Sequence, residues 1–333
     1  MNVITTIVGS YPTKYSEVKK FKDKLYSTFG LFDPYKEAII NSVTNFVKSD
    51  LDIICDGQVR NDMVNIFVKH INGFEIIDDT AYIKGKITPP AHPITTNDLK
   101  LTYKISKKLD NKFKLHASLD KIFAHEEKGI KGIITGPTTL IHCSIIDNFY
   151  TNRADAIYDM AKALSYEAKE LEKAGACIIQ IDEPFISLKV EDIEVSQKGI
   201  EIISNSVNIP VALHVCGNLE GIMEKIFNFN VDILDFEFSG IPENIKLLEK
   251  TWDKNCDKII IVSCIDTKLD YVDDWNNVNK IIKEVTEITK QENIIIEPDC
   301  GMRRLSEDLS QKKLDILKKI KKEGIYNGKI YSY

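Results

Sequence analysis

Eight short runs rich in Ile, Val and Leu recur along this chain, most of them bounded by Gly, Pro, Asp or Asn: Ile4–Val8, Leu51–Cys55, Ile130–Thr135, Ala176–Ile181, Pro210–Val215, Val231–Phe236, Lys258–Cys264 and Asn293–Ile296. None shows the period-two alternation of a strand with one wet face. A strand buried on both faces reads as a continuous apolar run, and parallel sheets bury both faces. Between the runs lie segments with helical spacing, at 33–49, 154–174, 197–205, 219–228, 241–250, 275–291 and 309–322. Buried strands alternating with helices predict an α/β fold, a single closed (β/α)8 TIM barrel. Periodicity does not show closure, so an open doubly wound sheet is the alternative.

The alternation breaks once. Residues 56–129 separate the second and third runs, more chain than one helix needs. Within them 75–87 reads as a hairpin, Pro89, Pro90 and Pro93 as an irregular turn, and 98–109 as a helix. The expectation is one catalytic domain over 1–333 with a decorated loop inserted after the second strand. The lysine-rich end carries Leu314, Leu317 and Ile320 at three-residue spacing, which predicts an amphipathic surface helix.

Composition narrows the function. Fifty acidic against 44 basic residues give a net charge of −6, and nucleic-acid binders usually carry a basic footprint instead. No apolar run approaches the roughly 18 residues of a membrane span, and the start Met1-Asn2-Val3-Ile4-Thr5 lacks the features of a secretory signal. Seven scattered cysteines, an odd number, suit a reducing cytoplasm. The chain is expected to be a cytoplasmic enzyme without nucleic-acid or membrane partners.

Barrel active sites sit at the C-terminal mouths of the strands. His214-Val215-Cys216 ends the fifth run, Glu237 follows the sixth, and Cys300 follows the eighth within Glu297-Pro298-Asp299-Cys300-Gly301. Residues two apart on a strand project to one side, so His214 and Cys216 can converge on one ion. Two thiols, an imidazole and a carboxylate make a tetrahedral set suited to Zn²⁺. Taken singly, each is as well explained as an ordinary buried Cys or a hydrogen-bonded core His. His-x-Cys is a weak motif, and spacing alone leaves both readings open.

The chain resembles the catalytic barrel of cobalamin-independent methionine synthase, in the compact single-barrel form of archaea and some bacteria. The matching segments run from Ile7-Val8-Gly9-Ser10-Tyr11-Pro12 through Arg60-Asn61-Asp62-Met63, Thr135-Gly136-Pro137-Thr138, Gln180-Ile181-Asp182-Glu183-Pro184 and His214-Val215-Cys216 to Pro298-Asp299-Cys300-Gly301. The resemblance implies zinc ligands at His214, Cys216, Glu237 and Cys300. It implies Ser10 on the carboxylate of homocysteine and Asp182 on its amino group. Asp182-Glu183-Pro184 by itself also fits a turn and helix start.

Two positions depart from the long form of the family. Gln58 falls nearest a glutamate that contacts the substrate ammonium, and an amide accepts the same hydrogen bond without the charge. Lys268 stands about where the long form has a histidine that assists the leaving group. From that, and from a chain that opens at the catalytic barrel, the expected methyl donor is a methylcorrinoid. It would be methylcobalamin or a methylated corrinoid protein acting as partner, because cob(I)alamin leaves without a proton. Methyltetrahydrofolate as donor, or coenzyme M as the thiol acceptor, are the alternatives.

A thiol of pKa about 8.5 is mostly protonated at neutral pH, and zinc favours the thiolate. With His214 neutral and Cys216, Cys300 and Glu237 anionic, exchange of the carboxylate for a substrate thiolate leaves the charge of the centre unchanged. Glu237, a hard oxygen among soft donors, is the expected exchangeable ligand and, with Asp182, the expected catalytic pair. A hydrolytic zinc normally has fewer anionic ligands, which favours alkyl transfer here.

Overall fold

The computed structural model describes residues 2–13 and 32–323, together with the backbone of 325–326 and 329–330. Eight strands form one sheet: β1 (Asn2–Thr5), β2 (Ile53–Ile54), β3 (Gly129–Thr135), β4 (Ile178–Asp182), β5 (Val211–Val215), β6 (Ile233–Phe236), β7 (Ile259–Ile265) and β8 (Asn293–Pro298). All neighbours are parallel and run in chain order from β2 to β8, with β1 beside β8. The remaining seam, β1 to β2, is closed by Asp52 N on Thr5 O at 2.9 Å, Thr5 N on Asp52 Oδ2 at 2.9 Å and Thr6 Oγ1 on Ile53 O at 2.9 Å. The fold is a (β/α)8 TIM barrel, as the eight apolar runs predict, and the open-sheet alternative falls.

Two hydrophobic clusters follow from strands buried on both faces. The larger lies between sheet and helices, with Phe46, Leu164, Phe236 and Leu317 among its members. The smaller plugs the N-terminal end of the barrel interior with Ile4, Ile53, Ile178, Ala212, Ile233, Ile261 and Ile295. Above that plug the inward positions turn polar, and the functional residues begin.

The helix Arg153–Ala174 illustrates how the surrounding layer is specified. Asn152 caps it by accepting from Ala154 N at 2.9 Å. Its buried stripe includes Ala156, Met160, Ala163, Leu164, Ala168 and Leu171, at helical spacing. Gly175 ends it at φ +105, a left-handed cap where a Cβ would also meet Leu115 Cβ at 2.6 Å. Truncating a side chain of that stripe such as Leu164 costs about 2–5 kcal/mol.

The stretch 56–129 forms the expected hairpin, Asn72–Ile77 with Thr80–Thr88, and a helix, Thr96–Leu109. The turn residues Asp78 and Asp79 both have positive φ, which suits a tight hairpin. A third strand that the sequence did not announce, Ile145–Ile146, pairs in parallel with Tyr82–Ile83. The helix expected over 219–228 shrinks to Met223–Ile226, because Gly221 takes φ +77 and interrupts it. The final long helix, Glu307–Glu323, buries Leu314, Leu317 and Ile320 as expected, and Lys313 with them. Among the described residues no helix is long and apolar enough to cross a membrane.

Candidate active site

Strand register builds the site. Asp182 on β4 is the partner of His214 on β5, which is the partner of Asp235 on β6. Cys216 lies two residues beyond His214, and Cys300 lies in the loop after β8. The ligand atoms of His214, Cys216 and Cys300 lie within 4.8 Å of one another. His214 is buried, and the two cysteines are half-buried at the mouth.

Glu237, the fourth expected ligand, is buried beside this group but its carboxylate is not part of it. Its Oε2 accepts from Gly217 N at 3.0 Å, and its Oε1 is held by Lys268 Nζ. The structure thus brings three of the four expected ligands together and shows the fourth engaged by an ammonium and a backbone amide.

The electrostatics of the group follow from its neighbours. Burial lowers the pKa of His214, but the charge of Asp235 and its hydrogen bond to Nδ1 prevail and hold it well above the ordinary value. The Cys216 thiol donates toward Cys300, and with help from His214 this pushes Cys300 down to about 4. The same sharing, then burial, pushes Cys216 up. The imidazole and the two sulfur atoms thus share protons, with Cys300 the more acidic of the two thiols.

Below it lies a polar layer that sequence reading missed. Lys131 Nζ donates to Gln180 Oε1 at 2.5 Å and lies 3.5 Å from Glu297 Oε2. Gln180 Nε2 donates to Asp182 Oδ1 at 2.7 Å and to Val8 O at 2.8 Å. Asp182 is pushed up by its burial. Glu297 is pushed far up by burial and by the charge of Asp235. Asp235 Oδ1 and Glu297 Oε1 are both buried without a donor, so a proton kept on Glu297 supplies the missing hydrogen bond. The signal was present in the sequence: Lys131 and Asp235 are charged residues inside largely apolar runs, and Glu297 directly follows the last of them.

The other expected substrate residues also reach the mouth. A Cβ on Gly301 would fall 2.1 Å from Ser10 Oγ, which puts the Ser10 hydroxyl against the Cys300 loop. Gln58, at φ +46, presents Oε1 to Gly9, where a Cβ would stand 2.4 Å away. Arg60 secures the Gln58 loop through Asp33, at 3.0 and 2.7 Å, and through Asp98. Glu183 faces away from this chemistry. It accepts from Thr138 N, Thr139 N and Thr139 Oγ1 at 2.6–2.9 Å, capping the helix Pro137–His142, and burial pushes it up to about 7.

Two thiols and an imidazole whose Nδ1 is engaged by a carboxylate form a donor set that fits zinc. The second nitrogen of His214 is left for the ion, and the sulfur atoms favour a borderline-soft metal over a hard one.

The chain is similar to proteins of one family. The family described as "Cobalamin-independent synthase, Catalytic domain" matches residues 3–323. A methionine synthase of Methanothermobacter thermautotrophicus is 40% identical over 314 residues, covering 94% of this chain and 97% of that protein. One from Methanocaldococcus jannaschii is 39% identical over 326 residues, covering 94% and 96%. Among solved structures, a B12-independent methionine synthase from a Shewanella species, in complex with selenomethionine, superposes with a TM-score of 0.75 at 22% identity, covering 94% and 95%.

These findings correct the expected donor. A methylcorrinoid, whether methylcobalamin or a corrinoid protein partner, is overturned by a cobalamin-independent family match that spans almost the whole chain. The expectation rested on a chain that opens at the catalytic barrel and on the missing histidine. Lys268 reaches Glu237 in the mouth, so a proton-bearing cation stands there without one.

Proposed function

The chain belongs to the cobalamin-independent methionine synthase catalytic-domain family and is a methyltransferase, and from that premise we propose that it moves a methyl group from methyltetrahydrofolate to the sulfur of L-homocysteine, forming L-methionine. The carrying observation is the convergence of His214, Cys216 and Cys300 within 4.8 Å, with Asp182 paired in register to His214.

His214, Cys216 and Cys300 would hold zinc, with Glu237 as a fourth ligand. Bound there, zinc favours the thiolate form of the substrate sulfur at neutral pH. Asp182 receives the substrate ammonium, and its burial makes that ion pair stronger than one in water. Gln58 accepts a further hydrogen bond from the ammonium, and Ser10 donates to the substrate carboxylate. Asp235 keeps His214 oriented with Nδ1 engaged. Asp182 also weighs against coenzyme M, because a carboxylate facing a sulfonate repels it.

The near-complete coverage of archaeal relatives supports placement with the compact single-barrel form. Residues 1–333 are read as one domain with 56–129 as an insertion, supported by Ile83, Ile87 and Leu99 packing into the main core. Seven unpaired cysteines support a reducing, cytoplasmic setting.

The test is methionine formation by zinc-loaded protein from homocysteine and methyltetrahydrofolate, as mono- and polyglutamate, with coenzyme M as competing acceptor. Methionine is expected from the folate donor. Methylation of coenzyme M with none of homocysteine would overturn the reading.

A further inference from the structure

The place where the Glu237 carboxylate stands is built for it. Gly217 N donates to Oε2 at 3.0 Å, and Lys268 Nζ engages Oε1. A Cβ on Gly240 would fall 2.3 Å from Glu237 Oε1, so any larger residue there would take the carboxylate's space. Gly217 adopts φ +100, where a side chain would be strained and would meet Ser187 Oγ at 2.4 Å. Asn244 Nδ2 donates to Gly217 O at 2.9 Å and to Glu237 O at 2.8 Å, tying the two segments together.

The Lys268 backbone is equally fixed. Its N donates to Asp266 Oδ1 at 2.8 Å, and Thr267 N donates to Asp299 Oδ1 at 3.0 Å. Beneath the loop, fully buried Lys313 donates to Asp266 O at 2.8 Å and to Asp273 Oδ2 at 2.7 Å. Asp273 Oδ1 in turn accepts from Asp266 N at 2.7 Å. The Lys268 side chain, by contrast, is 61% exposed, so its ammonium can be replaced without disturbing the packing.

We propose that Lys268, the Gly217 N–H and the open face of Gly240 form a berth for the Glu237 carboxylate, making Glu237 an arm that alternates between the thiol–imidazole group and this berth. The inference rests on the zinc and homocysteine reading above. When the substrate thiolate takes the ligand position, the carboxylate withdraws with its own electron pair and charge. The thiolate brings one of each, and the thiol proton passes to water. Lys268 meets the displaced negative charge, so Glu237 has no comparably favourable reason to return while substrate is bound. Lys268 is thus a positioning residue.

X-ray absorption and homocysteine calorimetry on zinc-loaded wild type, Lys268→Met, Lys268→Arg and Gly240→Ala test this. Wild type should exchange one oxygen neighbour of zinc for sulfur when homocysteine is added. Lys268→Met and Gly240→Ala should keep the oxygen neighbour and bind homocysteine about tenfold more weakly at unchanged zinc content. Lys268→Arg should restore the exchange. Because Lys268 is exposed, its loss leaves folding intact even if Gly240→Ala does not fold. A Lys268→Met protein that exchanges oxygen for sulfur as fully as wild type, with equal affinity, overturns the berth. Wild type that holds no zinc, or gains no sulfur neighbour, defeats the underlying reading first and this inference with it.

Discussion

His214 and Asp235 are register partners on adjacent parallel strands, and the imidazole Nδ1 meets the carboxylate Oδ2 across that pairing. Backbone pairing therefore sets which nitrogen faces the two thiols. Such a carboxylate behind a ligating histidine typically contributes 10–100-fold in metal affinity. Asp235→Asn should weaken zinc binding by about that factor, measured by competition with a chromophoric chelator. Unchanged affinity would mean that ring orientation is set elsewhere.

Proton accounting gives a second expectation. His214 is held well above its ordinary value, so it stays charged until pH rises through that raised value. Cys216, also raised, keeps its proton, whereas Cys300 at about 4 has lost its own near neutrality. Zinc requires a neutral imidazole and two thiolates, so one proton leaves His214 and one leaves Cys216. Affinity should rise with pH while both protons are held, roughly hundredfold per unit, and fall on acidification. Calorimetry in buffers of different ionisation enthalpy should count close to two protons per zinc near pH 7. A count of zero would refute the assignment.

Under the proposed binding mode, Asp182→Asn would replace a buried ion pair to the substrate ammonium with a neutral hydrogen bond. Homocysteine should bind roughly tenfold more weakly or worse, while zinc content is unchanged because Asp182 is no ligand. The alternative acceptor offers a contrast: binding of coenzyme M should improve or stay level. Equal homocysteine affinity in mutant and wild type would remove Asp182 from the substrate site.

Lys313→Met should be strongly destabilising. It leaves Asp273, almost fully buried, without its ammonium partner, a loss of about 3–5 kcal/mol. Adding Asp273→Asn should recover part of it, read as denaturation midpoints of the two variants. A single mutant as stable as wild type would show that the loop carrying Lys268 is braced by other contacts.

The barrel was legible because buried parallel strands leave uninterrupted apolar runs, and all eight appear where those runs stand. Ile145–Ile146 was not, since a two-residue strand has no period to read. At the site, the spacing of two put His214 and Cys216 on one side of a strand and left the ligand reading open; the family resemblance singled out both, and Cys300 with them. The position of Glu237 off the thiol group was hidden. It depends on Lys268, which lies 31 residues away and meets it only after folding. Lys131 and Glu297 went unremarked although both are charges in apolar strands, and matching them to Gln180 and Asp235 needs the register between strands. The corrinoid expectation failed for a related reason. It weighed where the chain opens and one absent side chain, without the cation that folding brings into the same mouth.

The apolar plug of Ile4, Ile53, Ile178, Ala212, Ile233, Ile261 and Ile295 makes the barrel a blind alley. Nothing that enters at the mouth can leave by the far end. An amino acid bound at Asp182 and Ser10, as proposed, would be overlaid by whatever brings the methyl group, and traffic would be first in, last out. Methionine has to depart by the route the next homocysteine takes, so it should inhibit competitively against homocysteine. A noncompetitive pattern in initial rates would call for a second exit.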